Sequence, residues 1–534
     1  MRTWVEALRI FFTLITREKY DDIHNIKISY NSIRPRGERL KTFGGSASGY
    51  ETIKEMFDGI DRVFKDAMDK TIEPMEEVDG FLPKYHVRPI HVLDICTLLG
   101  NNVVSGGVRR TAIIFLCDEN DYESMLAKYG VGGIWDKEAH SKLGEKLYAI
   151  DILPDWWNDE ELLESKTGLT HRYMSNNSIM FKNIPSEDLL SVVFDLIKTN
   201  GEPGFVNQEE MLRRRPNGKG VNPCAEIILD SKQTCNLTTI NVFAFVKEQD
   251  GEFSLDIPAM LNAQTLSVRA GMRMTLVDLE LDEWDEKHKR DRLVGTSLTG
   301  WRDMVDKVGL SIEEQNGVLN MLKEISFNES LRYANALRIP NPLLVTTVKP
   351  EGTLSQVAGG VSSGLHVSHS PYFIRRVRIN ANDPLARLAI DLGWNVTPEV
   401  GTTWDDAKIL VIDFPMKTPA KQTRGNQSLK EQFDTYFQFQ EYYTQHNSSN
   451  TITVRDHEWE EAQQIILDGW DSFVGVSFLP YDGGTYDLMP YEEISKEEYE
   501  IMVDNFKSFN IEDLYEIETS AGVFEVEDEC ESGG

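Results

Sequence analysis

The chain has 534 residues, 40% of them apolar and 27% charged, which is enough to bury two or three domains or one large barrel. A net charge of −32 argues against the broad cationic surface that non-specific duplex binding needs, while leaving room for local cations and amides to hold a small phosphorylated ligand. Five cysteines (Cys96, Cys117, Cys224, Cys235 and Cys530) suit a reducing compartment rather than a disulfide framework, and no apolar run is long enough to cross a bilayer, so a cytoplasmic protein is expected.

In chain order, Trp4 to Arg17 reads as an amphipathic helix and Ile26–Tyr30 as a strand. Ser32 to Gly49 is cationic and glycine-rich, a plausible phosphate-facing loop. Helical patterns cover 51–70 and 88–102, and Gly106-Gly107-Val108-Arg109-Arg110 precedes an apolar strand from Thr111 to Leu116. Residues 118–170 are charged and tryptophan-bearing and read as helical excursions on the surface. Ser186 to Thr199 is an amphipathic helix. Leu343 to Val348 is a buried-strand pattern that runs into Lys349-Pro350-Glu351-Gly352-Thr353-Leu354-Ser355. Ile374 to Arg378 reads as an alternating strand with an exposed basic face, Ile409 to Phe414 and Thr451 to Val454 as further strands, and Leu429 to His446 as a helix. Strands alternating with helices indicate an α/β protein with substantial parallel pairing. The last 44 residues hold fifteen acids and two lysines, and the stretch from about Glu518 reads as a flexible tail.

The chemistry concentrates in Val221-Asn222-Pro223-Cys224-Ala225-Glu226-Ile227, with a second thiol, Cys235, eleven residues after the first. If the segment is extended, the amide, thiol and carboxylate at alternate positions share one side. Such groups can orient a hydroxylated substrate, abstract a hydrogen atom and move a proton, and a second thiol can supply electrons. Small residues after the Leu343–Val348 strand free backbone amides, with Thr353 and Ser355 as hydroxyl donors.

The segment resembles the active-site finger loop of ribonucleotide reductase large chains, in particular the monomeric adenosylcobalamin-dependent (class II) type. Further matches are the Ser32–Gly49 loop, Asn101 to Arg110, Ser175-Asn176-Asn177-Ser178, Gly201-Glu202-Pro203-Gly204, Lys349–Gln356 and Leu479 to Tyr486. The resemblance implies a ten-stranded α/β barrel lacking its first strands, with the Cys224 loop through its centre. It implies that Cys224 is the thiyl, Glu226 the base on the 3′-hydroxyl, Asn222 the holder of the 2′/3′ hydroxyls and Cys235 one of two thiols oxidised as the 2′-hydroxyl leaves. Pro350, Glu351, Gly352, Thr353, Leu354 and Ser355 would cradle the substrate phosphates. Gly106, Gly107, Arg109 and Arg110 would form the loop through which a bound deoxynucleotide effector selects the base, and Cys530 would re-reduce the active site from the tail. The division implied is 1–117 for the effector region and early barrel, 118–505 for the catalytic barrel and 506–534 for the redox tail.

The implied reaction is the conversion of ribonucleotides, triphosphates for this class, into 2′-deoxyribonucleotides, with adenosylcobalamin as cofactor, no metal site of the chain's own, and thioredoxin or a similar dithiol as reductant. Neither a C-terminal glycyl-radical motif nor an Asp-x-His-x-x-Gly cobalamin motif is present; Asp456-His457-Glu458 does not complete the latter. In the family the partner thiol of Cys235 lies on an early strand upstream of this chain's start, so a complementing N-terminal polypeptide is expected and the isolated chain is expected not to turn over. The alternative is a non-catalytic fragment or half of a split reductase. Neither a membrane nor nucleic acid is expected as a partner.

Overall fold

The computed structural model describes residues 2–520 except 21–24, 37, 39–46, 48, 79–83, 105–110, 382, 401, 406, 408 and 482–487. Packing divides the chain into two units, residues 1–179 with 186–203, and residues 180–185 with 204–534.

In the first unit, helices α1 (Arg2–Thr16) and α2 (Glu51–Phe64) bury Phe11 against Ile53, Met56, Phe57, Ile60 and Val63. Residues 25–30 form no strand; Ile28 and Tyr30 pack on this helical cluster instead. Period-two apolarity there finds a helical surface to cover and no neighbouring ladder to pair with. Helix α3 (Pro89–Val104) adds Ile95 to the same core. Strands β1 (Ile113–Asp118) and β2 (Ser175–Phe181) are sheet neighbours. Between them lie short helices and α4 (Lys137–Ala149), whose N-terminus is capped by Asp136 accepting from the amides of Glu138 and Ala139. This stretch is more than a surface excursion. Trp156 and Trp157 are buried, and Trp157 stacks on His140 at 4.3 Å between ring centroids. Helix α5 (Glu187–Asn200) starts on a Ser186 cap and ends at Gly201, whose φ of +76° suits glycine.

A buried ionic cluster braces this unit. Arg172 donates to Asp94 through Nε at 2.7 Å and Nη2 at 2.8 Å, and to the Ala127 carbonyl through Nη1 at 2.7 Å. His171 Nε2 lies 2.8 Å from the same carboxylate, and Arg172 Nη1 lies 2.8 Å from Asp69. Burial alone would raise the Asp94 carboxyl, but the Arg172 charge, its hydrogen bonds and His171 hold it well below the usual carboxylate range.

The second unit is built around parallel extended segments. A hairpin of β3 (Gly220–Val221) and β4 (Ile228–Leu229) leads into β5 (Asn236–Asn241). The crossover contains α6 (Ile257–Met274) and returns in β6 (Val294–Thr299), parallel to β5. Helix α7 (Ile312–Leu337) opens on a capping box, with Ser311 and Glu314 bonding each other's amides. It packs with α6 around Val268, Met272, Val294, Ala334 and Val345.

The chain then passes beside β6. Thr296 N donates to Val345 O at 2.8 Å and Thr347 N to Thr296 O at 3.0 Å. Residues 446–449 flank the far side, with Ser449 N donating to Val348 O at 2.8 Å. From Leu344 to Val348 the segment is thus buried and parallel-paired, with Leu343 left exposed, but it is joined by isolated bridges, partly because the Val345 amide is taken by the Gln445 side chain at 2.8 Å.

Strands β7 (Tyr372–Asn380) and β8 (Ile409–Lys417) pair antiparallel. The basic face of β7 is not wholly exposed: Arg376 is buried, 3.0 Å from Asp413 and 2.5 Å from Glu492. Helix α8 (Leu429–Tyr442) precedes β9 (Ile452–Val454), which pairs parallel with β10 (Phe478–Pro480). Among the described residues no helix is long and apolar enough to cross a membrane.

Candidate active site

The hairpin places Gly220 opposite Leu229 and Val221 opposite Ile228, leaving 222–227 as its tip. The tip is a turn rather than the extended run that alternation suggests. Asn222 N donates to Ile227 O at 3.1 Å, Ala225 N to Asn222 O at 2.7 Å, and Ile227 N to Asn222 Oδ1 at 2.9 Å. Asn-Pro favours turn initiation, and the asparagine side chain closes the loop from within. Ala225 takes a φ of +59°, a left-handed conformation uncommon for a residue with a Cβ. The turn sorts the side chains by depth. Cys224 is exposed at the apex, whereas Glu226 is only 3% exposed.

Burial raises the Glu226 carboxyl above its ordinary value, and nearby Glu351 adds to this; hydrogen bonding from its own backbone and from Asn222, and the charge of Lys349, oppose it. Its Oε2 has no hydrogen-bond partner among the described residues. A desolvated carboxylate with an open oxygen, steadied by one amide, has the properties of a general base. Cys235 immediately precedes β5. Burial pushes its thiol up, with the Glu226 charge adding to the effect, so it is held as S–H.

The segment after Val348 closes on the same region. Glu351, 4% exposed and at a φ of +58°, accepts from the hydroxyls of Thr239 and Ser297 through Oε1, each at 2.7 Å. Lys349 Nζ lies 3.5 Å from its other oxygen. Gly352, Thr353 and Leu354 are exposed, and their amides have no acceptor among the described residues. Ser355 is buried, its hydroxyl 2.9 Å from that of Ser363. The carboxylate of Pro350-Glu351 therefore turns inward while the following amides face out, a cradle suited to an oxyanion.

Several residues here carry no motif. Thr239 and Ser297 lie on the half-buried β5 and the fully buried β6, whose runs Asn236–Asn241 and Val294–Thr299 are rich in hydroxyls for inner strands. Gly295 permits the close packing: a Cβ there would lie 2.9 Å from both Ile227 and Thr347. That excess of buried hydroxyls is the one sequence signal that could have found Thr239 and Ser297. Of the residues singled out from the sequence, Asn222, Glu226, Cys235 and Glu351 gather here, with Cys224 at the surface end. Gly106, Gly107, Arg109, Arg110 and Cys530 lie outside the described residues.

The hairpin thus sets an exposed thiol and a buried carboxylate beside the parallel-paired segments of an α/β core. Residues 142–333 match the family described as ribonucleotide reductase, barrel domain. The chain is 27% identical over 519 residues to the adenosylcobalamin-dependent ribonucleoside-triphosphate reductase of Lactobacillus acidophilus, covering 90% of this chain and 61% of that protein. It is 25% identical over 573 residues to the enzyme of the same name from Lactobacillus leichmannii, covering 99% and 69%. Among solved structures, a B12-dependent (class II) ribonucleotide reductase superposes with a TM-score of 0.74 at 23% identity, over 97% of this chain and 68% of that one. The chain thus has the fold of that class II ribonucleotide reductase structure. It spans about three fifths of the length of the first curated relatives it matches.

Proposed function

We propose that the chain reduces ribonucleotides, in the triphosphate form, to 2′-deoxyribonucleotides by a thiyl-radical mechanism, and that the tip of the 220–229 hairpin is its reaction centre. The observation that carries this reading is the depth-sorted pair on one turn: an exposed sulfur, and two residues on a buried carboxylate with an unpartnered oxygen. The relatives are named as adenosylcobalamin-dependent, which points to that cofactor. The donor set fits it, because Cys224 is exposed while Cys235 is only partly so, and Cys224 is the residue that would face it. When bound, the cofactor supplies the radical equivalent that leaves Cys224 as a thiyl.

The chain's own residues do the rest. The Cys224 sulfur takes the 3′ hydrogen of the ribose, breaking C–H and forming S–H. Glu226 accepts the 3′-hydroxyl proton, and its raised pKa keeps the proton available for return. Asn222, holding the Glu226 carboxylate, orients the 2′/3′ hydroxyls. Cys235 and a second thiol become a disulfide, and their two electrons reduce C2′. One of their hydrogens leaves with the 2′-hydroxyl as water and the other forms the new C2′–H bond. Glu226 then gives the proton back to the 3′ oxygen, and Cys224 returns its hydrogen to C3′. The amides of Gly352, Thr353 and Leu354, with the Thr353 hydroxyl, bind the phosphates. Cys530 and a thioredoxin-like dithiol restore the oxidised thiols, and a deoxynucleotide effector acts through Gly106 to Arg110 in the cytoplasm. The test is a 3′-deuterated ribonucleoside triphosphate offered to the complemented enzyme with adenosylcobalamin and a dithiol. Slower deoxynucleotide formation than with the protiated substrate is expected; absence of deoxynucleotide product from either substrate would overturn the reading.

A further inference from the structure

The hairpin tip is anchored from outside by a run whose sequence shows no motif, Gln445-His446-Asn447. Asn447 is fully buried, and three of its groups are committed. Its backbone N–H donates to Glu226 O at 3.1 Å, and its side-chain Nδ2 donates to Ala225 O at 2.8 Å. Its Oδ1 accepts from the Tyr436 hydroxyl at 2.8 Å, which fixes which end of the amide faces the hairpin. One residue thus grips two consecutive carbonyls of the turn, on either side of the Glu226 Cα. His446 extends the grip: its Nδ1 accepts from Ile228 N at 3.2 Å while Nε2 meets Val294 O at 3.3 Å. Burial pushes this imidazole down to about 3, so it stays neutral and keeps the tautomer that accepts from the hairpin. Thr347 Oγ1 lies 2.7 Å from both Glu226 O and Asn447 O, joining the two strands of the clamp. Gly475 packs against the same contact: a Cβ there would meet the Ala225 Cβ and Asn447 Nδ2 at 3.4 Å, ordinary van der Waals distance.

We infer that Asn447, oriented by Tyr436, is a positioning residue that holds Ala225 in its left-handed turn and so sets the separation of Cys224 from Glu226. This rests on the proposed reaction at that hairpin. A left-handed alanine is disfavoured by its own Cβ and persists only where surrounding bonds over-determine it. Two hydrogen bonds from one buried residue to the adjoining carbonyls are such a constraint. Without them the tip relaxes, and the thiol and carboxylate no longer meet one sugar ring together.

The test uses Asn447→Asp, which keeps shape but turns the Nδ2 donor into an acceptor against the Ala225 carbonyl, and Tyr436→Phe, which removes only the orienting hydroxyl. Amide hydrogen exchange of the full chain is followed at Ile227 and Ile228, with β5 and β6 as internal reference. Exchange at the tip is expected to accelerate about tenfold in Asn447→Asp and less in Tyr436→Phe, with the reference strands unchanged. In the complemented enzyme kcat is expected to fall about a hundredfold in Asn447→Asp, with KM for the nucleotide within about twofold because the 350–355 loop is untouched. Unaltered tip exchange in both variants, or equal acceleration throughout the unit, would overturn the inference. If Asn447→Asp does not fold, Tyr436→Phe alone decides by the same readouts. Should Cys224→Ser still make deoxynucleotide, the proposed reaction fails while the exchange measurement still judges the clamp.

Discussion

Asp94 and Glu226 are both carboxylates buried beyond the reach of bulk water, yet their surroundings are opposed. Around Asp94 the protein supplies a guanidinium on both oxygens and an imidazole on one, and the cluster is closed. Around Glu226 it supplies one side-chain amide, leaves Oε2 without a partner and sets a second buried carboxylate, Glu351, nearby. A closed cluster braces a fold, whereas an open carboxylate costs stability and is kept only where something else needs it. Cys224 and Cys235 repeat the contrast in sulfur, one thiol exposed and the other half-buried and held protonated.

The sharpest way to break this comparison is to neutralise the open carboxylate. Glu226→Gln is expected to lower deoxynucleotide formation by the complemented enzyme by about 10²–10⁴-fold, the range for a lost general base. Its folding stability, read by denaturant titration, should equal or exceed that of the parent. Asp94→Asn should do the reverse. Removing one partner of a buried ion pair is expected to cost about 3–5 kcal/mol in the same titration.

The two sites also predict opposite dependence on pH. The folded-state pKa of Asp94 is depressed, so its contribution is complete above the unfolded value of about 3.9 and is lost as pH falls below it. The folded-state pKa of Glu226 is raised, so the folded state holds a proton that the unfolded chain has already released. Its penalty therefore grows as pH rises from about 4.3 through the folded value. Glu226→Gln should match the parent at low pH and gain on it towards neutrality, while Asp94→Asn should fall further behind it. Stability curves at several pH values check both signs.

The smallest effect belongs to the outward-facing amides. A Cβ at Gly352 meets nothing within 4 Å, so Gly352→Ala should change stability by less than about 0.5 kcal/mol. It should nonetheless raise the nucleotide KM about tenfold, if backbone approach to a phosphate is what the glycine serves.

Local pattern made much of this readable. The helix over Glu187–Asn200 follows from apolar spacing behind Ser186, and the Asn222–Cys224–Glu226 group with Cys235 stands out by residue type alone. What depends on distant partners did not show. Residues 26–30 alternate like a strand but lie against helices, and Arg376 reads as an exposed charge until Asp413 and Glu492 are folded against it. The turn at Ala225 was hidden because its causes are partly remote: Asn447 and His446 lie more than two hundred residues further along the chain.

The most direct measurement is product formation by Cys224→Ser in the complemented enzyme, supplied with adenosylcobalamin, a ribonucleoside triphosphate and a dithiol. Loss of deoxynucleotide to background, with nucleotide binding unchanged, is the predicted result. Deoxynucleotide formed at the parent rate by the serine variant would contradict the proposed chemistry outright.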